Sequence, residues 1–356
     1  MSRRIFFLSL FLLLSPLVCR EASSADTLTV AAVGDIMMGT AWPEETLPPG
    51  DGAGIFDNVL EGFRNADILF GNLEGPLLDS GEGRKCGKRR GGKTSLCFEF
   101  RTPTRYVKHL EAAGFNVLNI ANNHASDFGA AGVGSTVETL GEAGIQAAGG
   151  ENVASFTIRG KSVAVAGFSY SSPSSHSLSL LDIPAAMEIV RGLKRENDLV
   201  VVSFHGGAEG KDALRIPGGG EIFAGENRGN IVRFARAVID AGADLVLGHG
   251  PHVPRALELY KGKLIAYSLG NFLTYGRFNI QGASGTSLVL RASIDMETGN
   301  FAGGAIVPVV LRDRGIPFID PEKKAVKLIR ELTAGRQAPP GLVITGDGEI
   351  RPAPGP

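Results

Sequence analysis

Cysteine and tryptophan are scarce, with three of the former and one of the latter in 356 residues. Cys86 and Cys97 stand eleven residues apart, a spacing at which a CxxC-type zinc site is not available. Neither sign of charge is in excess: 36 Lys and Arg meet 37 Asp and Glu, and no long basic stripe occurs. A nucleic-acid partner is therefore not expected, because phosphate backbones are held by clustered positive charge. Past the N-terminus no apolar run reaches the roughly 20 residues of a spanning helix, so at most peripheral membrane contact is expected.

Glycine, in contrast, is abundant at 49 residues, as many tight strand-to-helix turns require. The length allows one large α/β domain or two small ones. At the start, Arg3 and Arg4 precede an apolar run over 5–18, and Ala22-Ser23-Ser24-Ala25 follows. That is the order of a secretory signal, so residues 1–25 are expected to be a signal peptide. An uncleaved anchor is the alternative reading. The expected location is exported: periplasmic, extracellular or associated with the cell envelope. With Cys19 inside the signal, Cys86 and Cys97 remain as an even pair for an oxidising compartment, and a disulfide between them is expected. The loop they bracket carries Lys88, Arg89, Arg90 and Lys93, a polyanion contact or simply a solvated loop.

Hydrophobic patterning predicts strands at 28–33, 67–70, 115–120, 145–148, 199–204 and 245–247. Helices are predicted at 104–113, 133–143, 185–196 and 231–240, hairpins at 156–168 and 256–268, and strands at 287–295 and 303–312. Strands that alternate with helices and then gather into hairpins describe an α/β domain with a mixed sheet or two stacked sheets. One unit is expected over 27–312, with a charged helix and a fraying Pro/Gly-rich tail over 313–356.

The scarce polar side chains fall in a pattern. Of six histidines, His124, His205, His249 and His252 each follow a predicted strand, as do Asp35, Glu74 and Asn123. Strand ends in an α/β sheet converge on one crevice. Any one of these residues can be a turn cap; together they point to a site. Carboxylate, amide and imidazole donors without thiolates suit a divalent ion such as manganese, iron or zinc. One ion, or two about 3.5–4 Å apart, would favour hydrolysis or transfer at a phosphoryl or acyl centre. His124, beside Asn123, is the candidate for acid-base help.

Five segments resemble the CapA family: Gly34-Asp35-Ile36-Met37-Met38-Gly39, Gly71-Asn72-Leu73-Glu74, Ala121-Asn122-Asn123-His124 with Asp127 and Gly129, Gly248-His249-Gly250-Pro251-His252, and Ile265-Ala266-Tyr267-Ser268-Leu269-Gly270-Asn271-Phe272. That family is named for poly-γ-glutamate capsule synthesis and is in turn similar to calcineurin-like metallophosphoesterases. The resemblance implies a single-domain, four-layer α/β/β/α metallophosphatase-like sandwich with mixed sheets and one or two divalent ions. It implies that Asp35, Glu74 and His252 hold one ion, that Glu74 bridges, and that Asn123, His205 and His249 hold the other. His124 would be the catalytic acid.

The chain departs from the pattern twice. Met37 stands where the phosphoesterases have the histidine of Asp-x-His, and a thioether does not replace imidazole for such ions. The first metal position is thus expected to be the weaker. The tryptophan usual after the fourth-motif histidine is missing from His205-Gly206-Gly207-Ala208-Glu209. Glu209 is expected to orient His205, Asp127 to lie just outside the ligands, and Asn271 to contact substrate or cap its turn. The resulting expectation is a metal-dependent hydrolase or transferase acting on a polyanionic or phosphorylated polymer, with envelope capsule-synthesis proteins as possible partners. A non-catalytic scaffold with a degraded metal site is the alternative.

Overall fold

Residues 27–86, 97–336 and 341–354 are described by the computed structural model; the expected signal peptide and the basic stretch at 88–93 lie outside the described residues. Strict two-residue periodicity sets the layers. In the strand Thr27–Met37, Leu28, Val30 and Ala32 enter one apolar layer while Ala31 and Val33 enter another. The strand Leu199–His205 behaves likewise: Leu199 and Val201 face the first layer, Val200, Val202 and Phe204 a third. Strands buried on both faces must be apolar throughout, hence the continuous β-branched runs.

The layer shared by both strands lies between two sheets. The larger, ten-stranded sheet runs Leu342–Ile344, Glu349–Pro352, Phe301–Arg312, Thr286–Asp295, Thr27–Met37, Ile68–Leu73, Val117–Asn119 and Gln146–Ala148. Asn271–Thr274 pairs in parallel with Thr27–Met37, and Ile316–Ile319 antiparallel with Phe301–Arg312. The seven-stranded sheet runs Leu257–Tyr260, Lys263–Ala266, Leu245–His249, Leu199–His205, Lys161–Ser169 and Ala154–Ile158, with Leu178–Ser179 beside Lys161–Ser169. Helices Val107–Ala113 and Gly129–Glu142 cover the outside of the first sheet, and Ile183–Glu196 and Ile231–Asp240 that of the second. The architecture is the expected four-layer α/β/β/α sandwich with mixed sheets.

Two expectations need correction. The first strand does not stop at residue 33 but continues through Gly34-Asp35 to Met37, with its register shifting around Asp35. The described residues of the expected tail, 313–336 and 341–354, are not frayed outside a domain ending at 312. Helix Lys324–Ala334 puts Ala325, Val326 and Ile329 into the layer between the sheets, and Leu342, Ile344 and Ile350 join them. Its last strands are three and four residues long, too short for periodicity to stand out beside proline and glycine. Ile350, fully buried, tests that correction. Ile350→Ala should cost about 2–5 kcal/mol in urea unfolding, whereas a frayed tail would leave the midpoint unchanged.

Candidate metal centre

Parallel pairing lines polar residues up at the carboxyl ends of both sheets. Asp35 is in register with Asn72 on one side and Asn271 on the other, and Asn72 with Asn119. In the second sheet His249 is in register with His205, and His205 with Ser169. Gly34 is required where the first row meets the crossing chain, because a Cβ there would lie 1.9 Å from the Gly270 carbonyl oxygen. That closeness lets the Asp35 N–H donate to the same oxygen at 2.9 Å.

The turn after the His249 strand brings in the last histidine. His252 has φ 57°, a left-handed conformation that a non-glycine residue adopts only when its surroundings impose it. Its Nδ1 lies 3.0 Å from Asp35 Oδ2 and 3.1 Å from Asn271 Oδ1. Asn271 Nδ2 donates to the Ser284 carbonyl at 3.1 Å, which leaves its oxygen for the ring. His252 Nε2 then faces Glu74 Oε1 at 3.7 Å and Glu209 Oε2 at 3.9 Å. One donor atom each from Asp35, Glu74 and His252 fall within 4.8 Å of one another. His249 Nδ1 is 3.6 Å from Asp35 Oδ1, so the second sheet's histidines border the same cluster.

A residue absent from the expected set links the two rows. Asn72 Nδ2 donates to Asp35 Oδ1 at 2.8 Å and lies 3.4 Å from His205 Nδ1. Its oxygen accepts from Asn119 Nδ2 at 2.7 Å and Asn122 Nδ2 at 3.1 Å. The sequence signal was the placement of an amide two residues before Glu74 in a run otherwise apolar, the same habit that singled out Asn123.

His124 sits at the edge of the cluster. Its backbone N–H donates to Asn122 Oδ1 at 3.0 Å, and its ring packs on Phe100 at a centroid distance of 4.4 Å. Nδ1 is 2.8 Å from Asp127 Oδ2. An ionised carboxylate only accepts, so Nδ1 carries a proton and Nε2 is directed inward, 4.0 Å from Glu74 Oε1.

Several buried polar atoms have no hydrogen-bond partner in the protein: both Glu74 carboxylate oxygens, Asn123 Oδ1, His205 Nε2 and both His249 ring nitrogens. Each such atom ordinarily costs about 1–3 kcal/mol. They belong to four of the six expected ligands, and the oxygen and nitrogen donor set fits a divalent ion of the manganese, iron or zinc kind. Electrostatics point the same way. Burial opposes charge on Asp35, but the facing His249 and His252 imidazoles hold its carboxyl far below the usual range. Burial, with Asp35 and Glu209 nearby, pushes Glu74 well up. Burial also holds His205 well below its ordinary value and lowers His124 against the pull of Asp127. For His252 the burial penalty is outweighed by Glu74 and Asp35, and its pKa is pushed up to about 10. The protein's own protons thus stand in for positive charge at the cluster.

One detail differs from expectation. Glu209 does not orient His205: Arg228 Nη1 holds its Oε1 at 2.5 Å, and its other oxygen faces His252. The Arg228 guanidinium lies over the Tyr170 ring, 4.1 Å from its centroid. The Met37 sulfur accepts the Gly39 N–H at 3.2 Å. Cys86 and Cys97 are joined by a disulfide.

Protons and a cation compete for His252 and Glu74, and both groups have raised pKa values. Mn²⁺ affinity should therefore rise with pH between 6.5 and 8.5, by about tenfold per unit for each proton displaced. Calorimetric titration at the two pH values checks this; a pH-independent affinity would contradict it.

Residues 29–275 match the family described as "Bacterial capsule synthesis protein PGA_cap". The capsule biosynthesis protein CapA of Bacillus anthracis is 31% identical over 266 residues, covering 70% of this chain and 60% of its own. The PGA biosynthesis protein CapA of Bacillus subtilis (strain 168) is 31% identical over 265 residues, covering 70% and 64%. The chain thus spans less than two thirds of the length of these relatives. A crystal structure of a novel phosphatase from Mycoplasma pneumoniae superposes with TM-score 0.50 at 14% identity, over 85% of this chain and 99% of that one. That likeness concerns the fold. With more than half its length matched, the chain belongs to the bacterial capsule synthesis (PGA_cap) family.

Proposed function

We propose that this chain is an exported, metal-dependent hydrolase or transferase acting on a phosphorylated or polyanionic polymer in capsule or envelope synthesis. The observation that carries the reading is the set of unpartnered ligand atoms of Glu74, Asn123, His205 and His249 beside the Asp35–Glu74–His252 cluster. The family and the CapA relatives, named for capsule and PGA biosynthesis, support the polymer class.

Asp35, Glu74 and His252 would hold one divalent ion, with Asn123, His205 and His249 available to a second. Such an ion, when bound, acidifies water and neutralises charge on a phosphoryl or acyl oxygen. The chain's own residues do the rest. Asp127 keeps the proton of His124 on Nδ1, so Nε2 can carry the proton destined for the leaving oxygen. Phe100 shields the other face of that ring. Asn72 ties Asp35 to the amides of Asn119 and Asn122, fixing the carboxylate. Arg228 holds Glu209 where its free oxygen meets His252.

The alternative reading, a scaffold that keeps the fold without turnover, draws on Met37 at the position of a phosphoesterase histidine. The two readings part on a simple substrate. With Mn²⁺, the protein should cleave bis(p-nitrophenyl) phosphate, or shorten poly-γ-glutamate, and lose that activity on chelation. His124→Asn should lower kcat by about 10²–10⁴-fold while keeping the Mn²⁺-induced rise in melting temperature. His249→Ala should lose both without unfolding. A folded protein that neither gains stability from Mn²⁺ nor cleaves either substrate would remove the enzymatic reading.

A further inference from the structure

His124 and Asp127 are buried, and what holds Asp127 comes largely from outside the turn that carries Asn123. Almost every group that Asp127 meets comes from a separate excursion of the chain. The Asp127 carbonyl oxygen accepts the backbone N–H groups of Arg84 at 2.8 Å and Lys85 at 3.4 Å. Its Oδ2 accepts the Phe100 N–H at 2.8 Å, beside the bond from His124. Lys85 Nζ lies 3.4 Å from Asp127 Oδ1 and 3.4 Å from His124 Nδ1. The Phe100 ring packs on the imidazole and, on its other side, on Phe278, which meets His252.

Two arms of the excursion therefore close on the pair, one at 84–86 and one at 97–100. The Cys86–Cys97 disulfide joins them immediately beyond these contacts, next in sequence to Lys85. A second tie runs alongside it, the Cys86 N–H donating to Glu99 Oε1 at 2.8 Å. Gly83 allows that approach, since a Cβ there would lie 2.0 Å from Glu99 Oε2. Behind the arm, Arg101 reaches the carbonyls of Gly81 and Ala41 and lies near the rings of Trp42 and Phe128.

We propose that the Cys86–Cys97 disulfide is a positioning device for the His124–Asp127 pair, and that Lys85 and Phe100 are the positioning residues it delivers. The Lys85 ammonium pairs with Asp127 Oδ1 and the Phe100 N–H donates to Oδ2, which holds the carboxylate turned so that Oδ2 accepts the Nδ1 proton of His124. Phe100 blocks the ring from turning. Opening the disulfide releases the arms to move independently, and the imidazole loses the constraints that choose its tautomer. The consequence for turnover rests on the acid role of His124 proposed above; the consequence for the tautomer does not.

The test uses the full chain as wild type, as Cys86→Ser/Cys97→Ser, and as Lys85→Gln and Lys85→Arg. Imidazole ¹⁵N resonances, with that of His124 identified by its absence in His124→Asn, report the tautomer. Wild type should show a single Nδ1–H form, the serine pair and Lys85→Gln a mixture, and Lys85→Arg the wild-type signature. Against bis(p-nitrophenyl) phosphate with Mn²⁺, kcat of the serine pair should fall about 10- to 100-fold, with KM within about twofold. Treating wild type with dithiothreitol should reproduce this: the dithiol gives up two electrons and closes to its own cyclic disulfide, leaving two protein thiols. The Mn²⁺-induced rise in melting temperature, which reports ligands the variants do not touch, should persist in every form. An unchanged His124 tautomer in both the serine pair and Lys85→Gln would overturn the proposal whatever kcat does. If wild type itself shows no Mn²⁺-dependent cleavage, the acid role fails, while the resonances still decide the positioning role. Should the serine pair not fold, the His124 tautomer of dithiothreitol-treated wild type decides in its place.

Discussion

The structure turns on a concentration of polar groups that the fold buries without satisfying. Asp35, Glu74, His205 and His249 are almost wholly inaccessible, and unsatisfied lone pairs in such surroundings are expensive. An apolar replacement would stabilise the sandwich, so retaining these groups needs a compensating interaction. The protein supplies part of it through shared protons, with His252 held charged between Asp35 and Glu74. A divalent ion would supply the remainder by replacing those protons with a fixed charge.

The sandwich delivers these groups by its pairing rules. Parallel strands end at the same edge, so the residue just past each apolar run reaches a common crevice. Asp35, Asn72 and Asn119 in one sheet, and His205 and His249 in the other, are neighbours because of register. The contacts of Asp35 with His249 and His252 show the two edges meeting. The arms joined by Cys86 and Cys97 add the third side, where His124 is held.

Much of this was legible in the sequence, because scarce polar residues after hydrophobic runs mark strand ends whatever the exact boundaries. The major strands follow from continuous apolar runs, which burial on both faces imposes, and the helices from their own periodicity. Other features depend on encounters that no local pattern records. Glu209 meets His252 rather than His205 because Arg228, nineteen residues away, draws its other oxygen aside. Asn72 joins two sheets through contacts with residues up to 133 positions distant. The C-terminal strands were illegible for a different reason: at three or four residues they are shorter than a readable alternation, and long-range pairing alone makes them strands.

The most direct measurement is the metal content of the protein as purified, followed by equilibrium binding of Mn²⁺ after chelation, compared with Glu74→Gln. The expected result is at least one manganese, iron or zinc ion per chain, recovered on adding Mn²⁺ and strongly diminished by the substitution. Protein that is folded, free of such ions, and indifferent to added Mn²⁺ and Zn²⁺ would contradict the reading of these strand ends as a metal centre.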